Sequence, residues 1–189
     1  MLLGAHMSVS GGLSTAFDRG QSIGINTMQV FTKNQNRWEQ KPAAADEIAR
    51  WFAAQAATGI RPVVSHAAYL LNLGTPDDAL WEKSVKALID ELTRAEQLGI
   101  LGVVFHPGAH MGSGEAAGIA RIIAGLDAAH DATPGYRTLT LIETTAGQGT
   151  ALGYRFEHLQ AMLGGVTAPG RVGFCFDTCH VFAAGYDLR

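Results

Sequence analysis

Four short apolar segments of the 189-residue chain end at side chains that can bind a metal ion. The first two end in His66 and His106, the third ends in Glu143, and the fourth reaches Asp177, with His180 three residues later. A single histidine after an apolar segment is more often a hydrogen-bonded structural residue than a ligand. Four such segments favour metal ligands, because the structural explanation would have to apply four times independently.

The types of these ligands indicate which metal they bind. Imidazole and carboxylate without thiolate are typical of a catalytic zinc site that keeps an open coordination position. Glu143 lies between the histidine pair and the Asp177–His180 pair in chain order, so its two oxygens could bridge two ions. Paired ions about 3.5–4 Å apart activate water and hold a phosphoryl group for in-line displacement. The pattern therefore predicts hydrolysis of a phosphate ester, with Glu143 as the catalytic residue.

The elements that would position these ligands are strands and helices in alternation. Runs rich in Val, Ile, Leu and Phe predict strands at 2–6, 28–32, 62–66, 103–106, 139–143 and 172–177. Helices are predicted at roughly 13–24, 44–58, 77–98, 115–130 and 155–164, from their apolar periodicity and capping residues. Such alternation is typical of a parallel sheet with crossover helices.

Two architectures share this alternation, the doubly wound open sheet and the (β/α) barrel. The segment Ser10-Gly11-Gly12 after the first strand is too short for the glycine-rich loop of a dinucleotide-binding fold. In a barrel the carboxyl ends of all strands converge on one face, where active sites are built. The strand-end ligands therefore predict an α/β fold of the TIM (β/α)8-barrel type.

The remaining histidines are assigned other roles. His6 ends the first strand and is expected close behind the ligands at the same face. His110, His130 and His158 lie in loop or helix surroundings, and we expect them at the surface or as capping residues.

Composition narrows the kind of partner that the protein can bind. Charged residues make up 16% of the chain and the net charge is −3, which argues against a broad basic face. Any DNA contact would therefore be local and carried by loops. No apolar run approaches the roughly 18–20 residues of a membrane helix, and the start lacks the basic segment of a signal peptide. Two cysteines do not make a disulfide framework, Cys175 is expected to be a small buried thiol, and a cytoplasmic location is predicted.

Six segments of the sequence, in order along the whole chain, resemble the endonuclease IV family. They are residues 4–8, 31–35, 66–74, 105–110, 143–149 and 176–187, of which the Asp-Thr-Cys-His and Glu-Thr-Thr-Ala-Gly-Gln-Gly strings are the most specific. The resemblance implies a TIM barrel with three zinc ions that incises double-stranded DNA 5′ to an abasic site and leaves a 3′-hydroxyl. It also implies removal of blocked 3′ ends and a monomeric state for the full-length protein.

The resemblance assigns the ligands individually. His66 and His106 correspond to ligands of the first zinc ion, and Glu143 to the bridge between the first and second. Asp177 corresponds to a ligand of the second ion and His180 to a ligand of the third. The family's other four ligands come from later strands.

The resemblance also assigns DNA contacts to two loops. Tyr69 and Leu70 match the residues that wedge into the duplex at the lesion, with a packed loop anchor as the alternative role. Lys33 and Arg37 are expected DNA contacts in the other loop, although the arginine is displaced by one position from the family's pattern.

The length of the chain predicts how much of the barrel it forms. A (β/α)8 barrel typically needs about 250 residues, and about six of the eight β/α units already occupy nearly all of this chain. Residues 1–189 are therefore expected to form one partial barrel domain without strands 7 and 8. Exposed strand edges predict that the isolated chain is poorly stable and hydrolyses DNA slowly.

Two other functions fit parts of the pattern. A sugar isomerase or epimerase of the xylose isomerase-like barrel type also binds divalent metals at its strand ends, but relies more on carboxylates. A catalytically silent DNA-binding fragment would keep the loops and only part of the ligand set.

Overall fold

The computed structural model describes residues 1–39 and 41–189, in which six β-strands alternate with six α-helices. The strands are β1 (Gly4–His6), β2 (Thr27–Val30), β3 (Val63–His66), β4 (Gly102–Phe105), β5 (Leu139–Glu143) and β6 (Val172–Cys175). The helices are α1 (Thr15–Ser22), α2 (Ala45–Thr58), α3 (Asp78–Gln97), α4 (Glu115–Asp131), α5 (Phe156–Gly165) and α6 (Thr178–Ala183). A 3-10 turn at Pro169–Arg171 leads into β6.

The strands form one parallel sheet in chain order, β1-β2-β3-β4-β5-β6. The register pairs His66 with Val104 and Glu143 with Cys175, so the carboxyl ends of neighbouring strands lie side by side. A doubly wound sheet would reverse its strand order at a switch point. Uninterrupted sequential order is that of a (β/α) barrel, as predicted from the strand-end ligands.

Helix α3 shows how the sequence produces these elements. Asp77 caps it, because its carboxylate accepts a hydrogen bond of 2.8 Å from the Leu80 amide. Leu88 and Leu92, four residues apart, are fully buried on the face toward the sheet. The observed bounds agree with the predicted helix at 77–98 to within one residue at each end.

The hydrophobic core lies between the sheet and the helices. Phe17 and Trp51 meet edge to face with ring centroids 4.6 Å apart, and the Trp51 indole N–H donates to the Leu98 carbonyl. Phe105 and Ile142 are buried on the neighbouring strands β4 and β5. Burial of each such side chain contributes about 1.5–3 kcal/mol, which holds the strand ends in fixed relative positions.

The expected surface position of His130 is wrong. Its ring is buried between α4 and β5, with Nε2 3.2 Å from the Thr140 hydroxyl. Burial and the nearby Arg171 charge lower the pKa of His130 to about 4, because both disfavour the protonated ring. The histidine is therefore a neutral core residue.

His158 is also buried rather than exposed, and its Nδ1 accepts a hydrogen bond from the Gly153 amide. His110 is half-buried in the loop after β4, and no side chain of the described residues caps α4. The Nδ1 atom of His110 accepts from the amides of Gly112 and Gly114 immediately before α4.

The start of a helix is expected after Asp177, without bounds, and helix α6 lies there. It has six residues, fewer than two turns, and it begins at the Asp177 cap. Among the described residues, Phe174, Phe176 and Phe182 expose 42%, 52% and 70% of their surface along β6 and α6. The β6 edge therefore presents apolar surface to solvent.

Across residues 1–39 and 41–189, no helix is long and apolar enough to cross a membrane.

Candidate metal centre

Three strand ends bring together a histidine pair and a glutamate. His66 is the last residue of β3, His106 follows the end of β4, and Glu143 is the last residue of β5. Their candidate ligand atoms all lie within 4.8 Å of one another. We call His66, His106 and Glu143 the metal-ligand cluster. The structure thus places these three residues as the convergence of parallel strand ends requires.

Both imidazoles point at the same carboxylate oxygen. The Nε2 atoms of His66 and His106 lie 2.9 and 3.1 Å from Glu143 Oε2. His66 and Glu143 are buried, whereas the His106 side chain is 37% exposed and borders solvent. The cluster is therefore open on one side, as a catalytic rather than a structural metal site requires.

The hydrogen bond on the other side of His66 fixes what its Nε2 can do. His66 Nδ1 lies 2.7 Å from the Ala67 carbonyl oxygen, which can only accept, so Nδ1 carries a proton. Because a carboxylate oxygen can only accept, the 2.9 Å contact between His66 Nε2 and Glu143 Oε2 needs a positive charge between the two atoms. Either a ring proton on Nε2 or a metal ion supplies it. A metal ion satisfies this arrangement, since ligating histidines typically donate their other ring N–H to a carbonyl.

The ionisation of Glu143 agrees with this role. Burial alone would raise its pKa, but hydrogen bonds from His106 and His66 and the charges of the two rings lower it to about 2. The carboxylate is therefore anionic near neutral pH.

A second candidate group shares Glu143. Glu143, Asp177 and His180 offer ligand atoms within 4.8 Å of one another. Asp177 caps α6 by accepting from the His180 amide, and it is held by its own amide, which donates to the Thr144 hydroxyl. His180 Nδ1 lies 2.8 Å from the Thr144 carbonyl oxygen and 3.5 Å from Glu143 Oε1. Glu143 thus belongs to both groups, as a carboxylate that bridges two ions would.

Tyr69 lies over this centre. Its ring centroid is 5.2 Å from that of His66 and 5.7 Å from that of His106, and 57% of its surface is exposed. Leu70 beside it is half-buried, so the expected exposure holds fully only for the tyrosine. An open cleft of about 470 Å³ runs alongside, lined by both residues, His106 and His180.

The two cations predicted to contact DNA differ in accessibility. Arg37 is exposed in the loop after β2. Lys33 is not available, because its side chain is 1% exposed and its ammonium group bonds to Asp90 and the Trp38 carbonyl. It also lies 3.5 Å from Glu91. The expectation of a direct DNA contact by Lys33 is therefore corrected.

Two residues that the sequence did not single out as site residues shape the site. Thr144 holds Asp177 and His180 through its hydroxyl and carbonyl groups. The Asn72 side chain accepts from the amides of Gly74 and Ala109, joining the loops after β3 and β4. Asn72 lies in the family-like string at 66–74, but only the fold shows its partner 37 residues away.

His6 and Cys175 border the centre. The His6 and Phe31 rings are tilted at 46° to each other with centroids 4.5 Å apart. Phe31 in turn contacts His66, so a single residue separates His6 from the ligands. Cys175 is half-buried, and burial followed by the nearby Glu143 and Asp177 charges raises its pKa to about 11. Its thiol is therefore protonated, in line with the small thiol predicted.

Comparisons with known proteins agree with this geometry. The profile of the xylose isomerase-like TIM barrel family matches residues 17–188. The probable endonuclease 4 of Chloroflexus aggregans is 52% identical over 186 residues, which cover 98% of this chain and 65% of that protein. The crystal structure of endonuclease IV from Thermus thermophilus superposes with a TM-score of 0.85 at 35% identity, covering 97% of this chain and 65% of that one.

A D-tagatose 3-epimerase-like protein also superposes, with a TM-score of 0.77 but 16% identity, over 97% of this chain and 68% of that one. This likeness shows the fold alone.

The chain spans about 65% of the length of the endonuclease 4 relative from Chloroflexus aggregans. The resemblance to endonuclease IV and the TIM-barrel fold predicted from the sequence are confirmed. The chain belongs to the xylose isomerase-like TIM barrel family and, within it, is similar to the endonuclease IV proteins.

Proposed function

We propose that this chain carries part of a zinc centre that hydrolyses double-stranded DNA on the 5′ side of abasic sites, leaving a 3′-hydroxyl. The observation that carries the proposal is the shared carboxylate Glu143, which belongs both to the group with His66 and His106 and to the group with Asp177 and His180, each with ligand atoms within 4.8 Å of one another. The similarity to proteins named endonuclease 4 supports a nuclease. We also propose that residues 1–189 belong to a single barrel domain, of which the relatives contain more.

The donor set favours zinc over other divalent ions. Histidine nitrogen and carboxylate oxygen suit Zn²⁺, whereas sites for Mg²⁺ use carboxylate, carbonyl and water oxygens. When bound, zinc ions lower the pKa of water and stabilise the negative charge that develops on the phosphoryl oxygens. The first ion would be held by His66, His106 and Glu143, the second by Glu143 and Asp177, and the third by His180.

The chain's own residues orient the ligands and the substrate. The carbonyls of Ala67 and Thr144 accept from the ring N–H groups of His66 and His180, and this fixes each ring. The cleft beside Tyr69 and His106 has room for one displaced nucleotide or its phosphate. The aromatic ring of Tyr69 is exposed to solvent, which suits stacking against a base next to the lesion.

The net charge of −3 requires that DNA contact be local. Arg37 is exposed in the loop after β2, and we assign it a contact with the DNA backbone. A substrate in genomic DNA and two free cysteines are consistent with the cytoplasmic location predicted from the sequence.

Incision of a defined duplex tests the proposal. The 189-residue chain would be incubated with zinc and a duplex that carries one tetrahydrofuran abasic analogue. We expect a single cut on the 5′ side of the analogue, absent from undamaged duplex and abolished by a chelator. Zinc-dependent binding of the abasic duplex without any cut would instead indicate a silent DNA-binding fragment. Epimerisation of a ketose without DNA cleavage would contradict the proposal outright.

The role of Tyr69 and Leu70 is tested by Y69A/L70A. We expect weaker binding of the abasic duplex, by roughly 10-fold, since stacking is worth about 1–3 kcal/mol, with zinc content unchanged. The matched control is F52A/L101A, which truncates two exposed apolar residues outside the strand-end face. If Y69A/L70A bound the abasic duplex as tightly as wild type does, Tyr69 and Leu70 would serve only to pack the loop.

A further inference from the structure

A group of buried charged residues lies outside the metal centre. Lys33 from the loop after β2 pairs with Asp90 and Glu91 of α3, and Arg94 of the same helix donates to the neighbouring Thr32 carbonyl. We call Lys33, Asp90, Glu91 and Arg94 the loop-anchoring cluster. Three of them, Lys33, Glu91 and Arg94, expose 4%, 1% and 3% of their surface.

Glu91 joins two loops. One carboxylate oxygen accepts from the Ala68 amide at 3.2 Å, in the loop after β3, and the other accepts from the Thr32 hydroxyl at 3.1 Å, in the loop after β2. The Lys33 ammonium lies 3.5 Å from the oxygen that receives the Ala68 amide. A single buried side chain therefore bonds both loops at once.

Two further contacts hold the loop after β2. The Lys33 ammonium donates to the Trp38 carbonyl at 3.2 Å, and the Arg94 guanidinium donates to the carbonyls of Thr32 and Lys41 at 2.6 and 2.9 Å. The bonded carbonyls lie before and after Arg37 in the sequence. Ala68, on the other side, directly precedes Tyr69. The cluster therefore fixes the backbone beside each of the residues assigned to DNA contact.

Stability alone does not account for this cluster. An apolar set of similar volume is often as stable as a buried ion pair or more so, whereas buried charges fix one relative arrangement of the groups they bond. Arg37 and Tyr69 lie on separate loops, so their spacing depends on what lies between those loops. The charges of Lys33 and Glu91 lie at that junction.

We propose that Lys33 and Glu91 are positioning residues, which set the spacing of the two DNA-contacting loops without touching DNA. This inference rests on the proposed function for its DNA readout, but the coupling of the loops is a property of the protein alone. Loss of the Lys33 ammonium would therefore loosen the loop after β3, although Lys33 belongs to the loop after β2.

The first measurement needs no DNA. Amide hydrogen exchange of K33M would be compared with that of K86M, which removes an exposed lysine paired with Glu39 across the same loop and helix. We expect exchange at Ala68 and the following amides to accelerate by roughly 10-fold in K33M, within the usual range of coupling between contacting groups, and to stay unchanged in K86M. Wild-type exchange in this loop of K33M would overturn the proposal.

The second measurement separates positioning from stability. K33M leaves the buried Glu91 without its cation, whereas K33M/E91Q also removes that buried carboxylate, and Asp90, 36% exposed, remains solvated in both variants. We expect the double variant to regain wild-type resistance to urea and to keep its zinc, yet to bind a tetrahydrofuran-containing duplex roughly 10-fold more weakly. Wild-type duplex affinity in the double variant would also overturn the proposal.

Failure of the proposed function can be distinguished from failure of the proposal that Lys33 and Glu91 couple the two loops. If the wild-type chain shows no preference for the abasic duplex, the proposed function fails. The exchange comparison of K33M with K86M then still decides whether Lys33 couples the loops.

Discussion

The metal-ligand cluster and the loop-anchoring cluster are both built mainly from buried ionisable side chains. The loop after β3 connects them, because it follows His66 and its Ala68 amide bonds to Glu91. In the loop-anchoring cluster cations face carboxylates and carbonyls, as Lys33 does with Asp90, Glu91 and the Trp38 carbonyl. In the metal-ligand cluster the Nε2 atoms of His66 and His106 both face one carboxylate oxygen, Glu143 Oε2. The first arrangement pairs opposite charges within the protein, whereas two ring nitrogens that converge on one carboxylate oxygen form a donor set that a metal ion can bind.

The comparison predicts opposite behaviour when each cluster is broken. Substitutions in the loop-anchoring cluster should lower the stability of the fold and leave metal affinity unchanged. Substitutions in the metal-ligand cluster should lower metal affinity and leave the metal-free protein about as stable as before.

The largest expected effect is on stability, from E91A. It leaves the buried Ala68 amide and Thr32 hydroxyl without their acceptor, while Lys33 keeps Asp90 and the Trp38 carbonyl, and two unsatisfied buried donors cost about 2–6 kcal/mol together. We expect the free energy of unfolding in urea to fall by that amount. Zinc bound per folded chain should stay constant. Loss of zinc together with stability would show that the two clusters are not separate.

The next effect is on metal affinity, from E143Q. A glutamine keeps the shape but removes the charge that both groups of ligands share, so we expect zinc affinity to fall by more than about 100-fold, beyond the loss typical of an outer-shell partner. Incision of the abasic duplex should fall with it. Isothermal titration with zinc measures this change. The matched control is E115Q, a surface glutamate bonded to Tyr154, which should bind zinc as wild type does.

The smallest effect concerns His130, a buried histidine outside both clusters. Its folded-state pKa of about 4 lies below the ordinary value of 6.5, so the unfolded chain binds a proton first as pH falls. Stability from this group is full above pH 6.5 and is lost as pH falls toward 4. We expect the wild type to lose about 1–2 kcal/mol more than H130Q between pH 7 and pH 5. Parallel urea curves for the two proteins at both pH values would contradict this pKa.

The strands and the candidate ligands could be predicted from the sequence because both depend on local patterns. Apolar runs mark the strands, and His66, His106 and Glu143 are the metal-binding residue types found where three of those runs end. The role of Lys33 could not be predicted in this way. It is decided by Asp90, 57 residues away, and a lysine in a polar loop has no local feature that reveals such a partner.

Burial of His130 was missed for a similar reason. The ring is covered by packing of α4 on β5, with its Nε2 against Thr140, and the helix periodicity alone did not distinguish this face. Helix α6 is too short for a periodic pattern, so only the Asp177 cap marks its start.

Zinc binding by the 189-residue chain tests the central claim most directly. Zinc would be added to the metal-free protein, and the zinc environment measured by X-ray absorption. We predict at least one tightly bound ion, with nitrogen and oxygen ligands at about 2.0–2.2 Å and no sulfur ligand, and loss of that ion in H66A/H106A. Failure to bind zinc, or a sulfur ligand from Cys175 or Cys179, would contradict the assignment of His66, His106 and Glu143 as the metal-binding residues.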